Sequence, residues 1–244
     1  LLKMQLDKRF DPVVAIDASR FDVVAAAEGR LKVYRDALAK NPRDGTAATY
    51  AVAMLRILGR HAEALTLVDT TLAQSGKITT HDGDDQRVWL ANDRALVLFE
   101  LGRFDEAVAA MEAAAAKDED GVPNVSQAIN LSGLQNSTGR FDAALATLSV
   151  FDKEKRSVSP YGLMWIEAER ACALFGLGRG AEAAPAMAYT AEHAKENDGA
   201  RAKALLCADD QAALATAVRE RLASADRRDE ALMWLSRYKW TATR

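Results

Sequence analysis

Little in this chain of 244 residues could staple, stiffen or anchor it. It has two cysteines, Cys172 and Cys207, and a chain of this length buries enough apolar surface to fold without a covalent staple. They read as small buried hydrophobes in preference to a disulfide, following the usual burial habit of the thiol. Five prolines and 14 glycines leave long stretches free of helix breakers, and alternating β-branched or aromatic runs are scarce, which favours an all-α fold over sheets. No run approaches the roughly 20 consecutive apolar residues that cross a bilayer. The most apolar segment is broken by Glu100, Arg103 and Asp105-Glu106, so the chain reads as soluble. Lysine and arginine number 32 against 35 acidic residues, a net charge of −3. That supplies neither the basic footprint of a nucleic-acid binder nor a polybasic membrane anchor. Without an initiator Met or a leader pattern, Leu1 reads as the start of a processed or trimmed chain, and the compartment, cytoplasmic or exported, stays open.

Chemistry is equally sparse. His61, His81 and His193 are scattered, with no HExxH and no CxxC, so they read as solvated side chains and no metal is expected. Asp82, Asp84 and Asp85, and then Asp118 and Asp120, resemble fragments of a calcium loop but lack its spacing and its closing Glu. There is no GxGxxG, no GxxxxGK followed by Ser or Thr, and no GxSxG, hence no signal of a nucleotide cradle or an activated serine. Carboxylates such as Glu167 and Glu169 could be cast as acid and base, yet a chain with 35 acidic residues supplies such pairs by chance. The expectation is a protein without catalytic residues or cofactor, and not an enzyme.

What the chain does have is repetition. Leu101-Gly102-Arg103-Phe104-Asp105-Glu106-Ala107-Val108 recurs as LGRHAEAL at 58–65, TGRFDAAL at 138–145 and LGRGAEAA at 177–184. The glycines stand at 59, 102, 139 and 178, so the separations are 43, 37 and 39 residues, a period that marks stacked helical units. Each octapeptide sits between two apolar-periodic segments. Leu90, Ala95, Leu98 and Phe99 form one helical face before the break, and Ala107, Val108, Met111, Ala114 and Ala115 form another after it. Gly102 lies where one helix ends and the chain reverses, a place that favours positive φ, while Asp105-Glu106 suit the dipole of the next helix. The small residue of the second helix recurs as Ala64, Ala107, Ala144 and Ala183, as close helix packing requires.

Along the chain, Leu1–Ser19 has no long period and is expected to pack over the first helix pair. Val23, Val24, Ala27, Leu31, Tyr34 and Leu38 keep helical spacing until Asn41-Pro42. The insert Ser75–Arg87 is polar with two glycines and reads as a surface loop that can be shortened, and a second loop spans Lys117–Asn124. After Asn197 the period degrades, and Ala200–Ala208, Gln211–Ala223 and Asp229–Tyr238 read as three shorter helices.

The segment Tyr34-Arg35-Asp36-Ala37-Leu38-Ala39-Lys40-Asn41-Pro42 resembles the end of a tetratricopeptide repeat, with Ala37 and Pro42 at matching places. Counting forward from Pro42 and back from Gly59 both start the next unit at Gly45, and further units begin near Val88, Val125 and Met164. The family's Trp, Leu-Gly and Tyr of the first helix are mostly missing, so the repeats are divergent. The resemblance implies a right-handed superhelical array of helix-turn-helix repeats, an α-solenoid. It would comprise an N-terminal segment and helix over 1–44, four repeats over 45–197 and degenerate capping helices over 198–244.

In that family the inner wall of the first helices binds extended peptides or partner segments. The positions implied to line it are Thr46, Thr49, Ala53 and Arg56, then Trp89, Asn92, Leu96 and Phe99, then Ser126, Ile129, Asn130 and Gly133, then Trp165, Ala168, Glu169 and Cys172. From these, Asn92, Asn130, Trp89, Trp165, Arg56 and Glu169 are the candidate groove residues, the amides for a peptide backbone and the indoles for contact area. The indoles serve equally well as core between units. The family's carboxylate clamp, built from Lys, Arg and Asn, is not supported, since Thr49, Ala53, Asp93 and Ser126 stand in the equivalent places. The expected job is an interaction scaffold for a protein or peptide partner. The alternative is an architectural or self-associating subunit, which would bury Leu232, Met233, Trp234, Leu235 and Trp240 against another chain.

Overall fold

Each turn glycine does the same local work. In the computed structural model, which describes residues 2–80, 86–115, 124–152 and 158–236, Gly59, Gly102, Gly139 and Gly178 all take φ between 70° and 74°. The amide of each glycine and that of the following Arg close a double hydrogen bond back onto the helix just ended, as in Gly102 N to Phe99 O at 2.9 Å and Arg103 N to Leu98 O at 2.9 Å. This left-handed cap satisfies the last carbonyls and reverses the chain. The Arg then pairs with the carboxylate three residues on, Arg60 with Glu63, Arg103 with Glu106 and Arg179 with Glu182. Where that position is Ala143, Arg140 reaches across to Asp105 of the preceding unit instead.

Fourteen α-helices result among the described residues, with one isolated parallel bridge between Asp44 and Thr79. Two short helices, α1 (Leu2–Leu6) and α2 (Asp11–Ile16), precede α3 (Val23–Lys40). Four hairpins follow: α4 (Gly45–Ile57) with α5 (His61–Leu72), α6 (Arg87–Glu100) with α7 (Phe104–Ala115), α8 (Val125–Ser137) with α9 (Phe141–Ser149), and α10 (Pro160–Gly176) with α11 (Ala184–Glu192). Within the segment read as capping helices, α12 (Asp198–Cys207) and α13 (Gln211–Ala223) form a hairpin of the same design before α14 (Arg228–Leu235). Its turn residue is Asp209, at φ 52°, and it repeats the double hydrogen bond through Asp209 N to Leu206 O and Asp210 N to Leu205 O. First helices other than α6 start on side-chain caps, Asp44 accepting from Ala47 N, Asn124 from Gln127 N, Ser159 from Gly162 N and Asn197 from Ala200 N.

Packing between units relies on alanine. Ala64, Ala107, Ala144 and Ala183 are all fully buried at the point where second helices meet first helices, and the core runs on through Leu55, Val68, Leu98, Met111, Leu148 and Met164. Along the array, α4 touches α6, α8 touches α10 and α10 touches α12, and the hydrogen bond from Asn130 to Asn92 ties α8 to α6, so successive first helices form one wall.

Four expectations are corrected. Cys172 and Cys207 are joined in a disulfide: α10 and α12 are adjacent first helices, which brings the two Cα atoms to 5.0 Å. A spacing of 35 residues, close to one repeat, was the sign that the two lie on neighbouring units. The insert after α5 is not a bare surface loop, because Ile78 is fully buried in the first core cluster. Thr79 accepts from Gly45 N at 2.8 Å and donates to Arg43 O at 3.2 Å, fastening the insert to the start of α4. The N-terminal segment does not lie over the first helix pair. Its helices are too short to cover one, and α1 packs against α14, with Met4 and Leu6 half-buried. The fourth unit also begins four residues before Met164, at Pro160, where Ser159 supplies the cap. His81, the Asp82–Asp85 and Asp118–Asp120 runs, most of the Lys117–Asn124 loop and Trp240 fall outside the described residues.

Candidate functional site

The first helices α6, α8 and α10, with Lys203 of α12, line a groove of about 910 Å³. Trp89 and Phe99 stand on one side, Tyr161 and Trp165 on the other, and Ser126, Ile129, Asn130 and Gly133 form the floor between them. Trp89 is 43% exposed and Tyr161 57%, large apolar surfaces left open to the groove. Trp165 is half-buried, and its ring rests near Gly199 at the beginning of α12.

The polar groups are tied to one another. Asn130 Nδ2 donates to Asn92 Oδ1 at 2.8 Å, and Asn92 is only 5% exposed. Asn92 therefore holds Asn130 in place from behind, and Asn130 is the amide that meets the groove. Glu169 is 3% exposed; its Oε1 accepts from Lys203 Nζ and its Oε2 from Asn136 Nδ2 at 2.9 Å. Asn136 Nδ2 also reaches the Glu169 carbonyl at 2.9 Å, which locks α8 to α10. Gly133 faces this carboxylate so closely that a Cβ there would stand 3.0 Å from Glu169 Oε1.

Arg56 is not part of the groove lining. It lies one unit earlier, where its Nε and Nη2 grip the Glu100 carboxylate at 2.7–3.1 Å. His61 Nδ1 is 3.0 Å from the other oxygen of Glu100. Beside this cluster, burial pushes the Asp93 carboxyl up to about 6, against the pull of Arg56 and with a further push from Glu100.

Of the candidate residues, the structure thus gathers Trp89, Asn130, Trp165 and Glu169 into one groove, sets Asn92 behind it and leaves Arg56 outside. Ala168 is buried and Cys172 is in its disulfide. Sequence reasoning missed Tyr161, Val158, Ser159 and Lys203. Tyr161 lies in the extra turn of α10 before the expected start of the unit. Lys203 sits on α12, whose hairpin lacks the turn glycine, though Asp209-Asp210 followed by an Ala-rich helix was the available signal.

The order of elements, the repeated left-handed turns and the wall of first helices decide the architecture. The fold is the tetratricopeptide-repeat solenoid. Solved structures share it at low sequence identity. A tetratricopeptide repeat protein from Parabacteroides merdae superposes with a TM-score of 0.57 at 15% identity, covering 88% of this chain and 79% of that one. The MamA protein gives 0.51 at 14%, covering 75% and 89%. The Rap conjugation gene regulator of plasmid pLS20, in complex with the Phr peptide, gives 0.53 at 17%, covering 91% of this chain and 60% of that one. No protein-family model and no curated protein matches the sequence. The helix-turn-helix units here carry a buried packing alanine and the left-handed turn, while the aromatic signature of that family's first helix is mostly absent.

Proposed function

We propose that the protein is an interaction scaffold whose groove receives an extended peptide or partner segment. The observation that carries this reading is the pairing of open aromatic surface, Trp89, Tyr161 and Trp165, with a positioned amide, Asn130, in one concave wall. Aromatic rings bury large area at small entropic cost, and an oriented amide can pair with a peptide backbone. Because Lys203 already neutralises Glu169, the groove selects apolar and aromatic side chains over charged ones. The Rap regulator, of the same fold, was solved with a peptide bound, so the fold admits such a ligand.

Selection of peptides from a displayed library on the immobilised protein, followed by calorimetric titration of the selected sequences, tests the reading. Trp165→Ala and Asn130→Ala should each weaken binding by about 1–3 kcal/mol. The outer-helix change Glu106→Ala should not. Peptides that bind all variants equally, or lose affinity only with Glu106→Ala, would place the binding face elsewhere.

A further inference from the structure

A second recess, of 1010 Å³, lies between α11, α12 and α13 and shares no lining residue with the groove. Three arginines line it. Arg221, on α13, is 5% exposed, and its Nε and Nη1 have no hydrogen-bond partner among the described residues. The nearest counter-charge is Asp198, whose Oδ2 stands 3.6 Å from Arg221 Nε, beyond hydrogen-bond reach. That carboxylate is already occupied, accepting from Arg227 Nη1 at 3.0 and 3.2 Å. One acid therefore serves two guanidinium groups.

Arg201, on α12, adds a third cation. Its Nη1 donates to the Met187 carbonyl at 3.2 Å and to Thr190 Oγ1 at 3.1 Å, and among the described residues it forms no ion pair. Burial pulls its pKa below the ordinary value, and Asp210 offsets this only in part. Lys195 also lines the recess, as do Glu192 and Glu220, but both of these glutamates are exposed and neither pairs with the arginines. A buried guanidinium with unpaired donors is costly to keep. Its planar fork matches the oxygens of a carboxylate or a phosphate.

We propose that this recess binds a small molecule through an oxyanion, a phosphate or carboxylate group, held by Arg221 and Arg201. The site is independent of the groove, so it can be filled with or without a bound peptide. Thermal melts and calorimetry of the full chain with inorganic phosphate and with succinate, against sodium chloride at equal ionic strength, test it. One or both anions should raise the melting temperature beyond chloride and bind saturably; a response to phosphate alone assigns a phosphate ligand, and a response to succinate alone assigns a carboxylate. Arg221→Gln should weaken binding about tenfold or more. Because Arg221 is buried, Thr216→Glu serves as the second variant: it puts a carboxylate on the exposed lining face of α13, and should abolish the anion response without lowering the melting temperature in chloride. The proposal is overturned if neither anion exceeds chloride, or if binding survives in Thr216→Glu.

Discussion

Replacing Ala107 by leucine puts the packing logic of the array under direct test. Ala107 is fully buried on α7, enclosed with Leu98, Met111, Leu131 and Leu134, which come from its own hairpin and from the next first helix. An isobutyl arm added there has no void to enter and must push α7 away from α8. Overpacking of this kind costs about 1–3 kcal/mol. For a chain of this size each kcal/mol moves the midpoint by about 2–4 °C, so the melting temperature should fall by roughly 2–12 °C. Ala109→Leu on the same helix is the control, because Ala109 is exposed and a surface change should stay within about 0.5 kcal/mol. Thermal unfolding followed by far-ultraviolet circular dichroism reads both. If Ala107→Leu melts with the parent, or if the two variants fall together, the alanine is not the contact that sets the spacing between units. Ala64, Ala144 and Ala183 are equally buried and should respond with the same sign.

Ile78→Ala should cost about 2–5 kcal/mol in urea unfolding, since the residue is fully enclosed; a loss below 1 kcal/mol would return the insert to the status of a removable loop. At the turns, Gly102→Ala meets no atom within 4 Å and so carries the backbone cost alone, about 1–2 kcal/mol at φ +74°. The reverse change, Asp209→Gly, should raise the unfolding midpoint by relieving a non-glycine residue at φ 52°, and a lowered midpoint would contradict that backbone cost. Asp93 titrates near 3.8 when unfolded and at about 6 when folded, so the folded state holds the extra proton between those values. Stability should therefore decline as pH rises through that window. Asp93→Asn should be more stable than the parent at pH ~8, with a flatter pH profile; parallel profiles for the two proteins would refute it.

The helical array was legible because its signals are local and repeated. A glycine at each left-handed turn and an alanine at each helix crossing are demanded by backbone and packing geometry, whatever else the sequence does. Both helices of the α12–α13 hairpin were legible, but its kinship with the repeats was not, because Asp209 takes the left-handed turn without glycine. The groove was legible only to the level of which helix face is inward. The Asn92–Asn130 bond and the Glu169–Lys203 pair depend on how far successive units rotate, and that rotation is set by packing across units. Arg56 illustrates the limit: its register put it on the wall, but Glu100 on the next first helix claims its guanidinium.

The Cys172–Cys207 bond joins the first helices of two consecutive hairpins. Repeat arrays otherwise open unit by unit, each stabilised only by its neighbours. Here two units are fused into one cooperative block, while those carrying α4 to α7 keep their separate freedom. Trp165 and Glu169 stand on the cross-linked block, whereas Trp89 and Phe99 stand on α6, outside it. The groove thus straddles a boundary in how it is held together, with a covalent cross-link behind one jaw and packing alone behind the other.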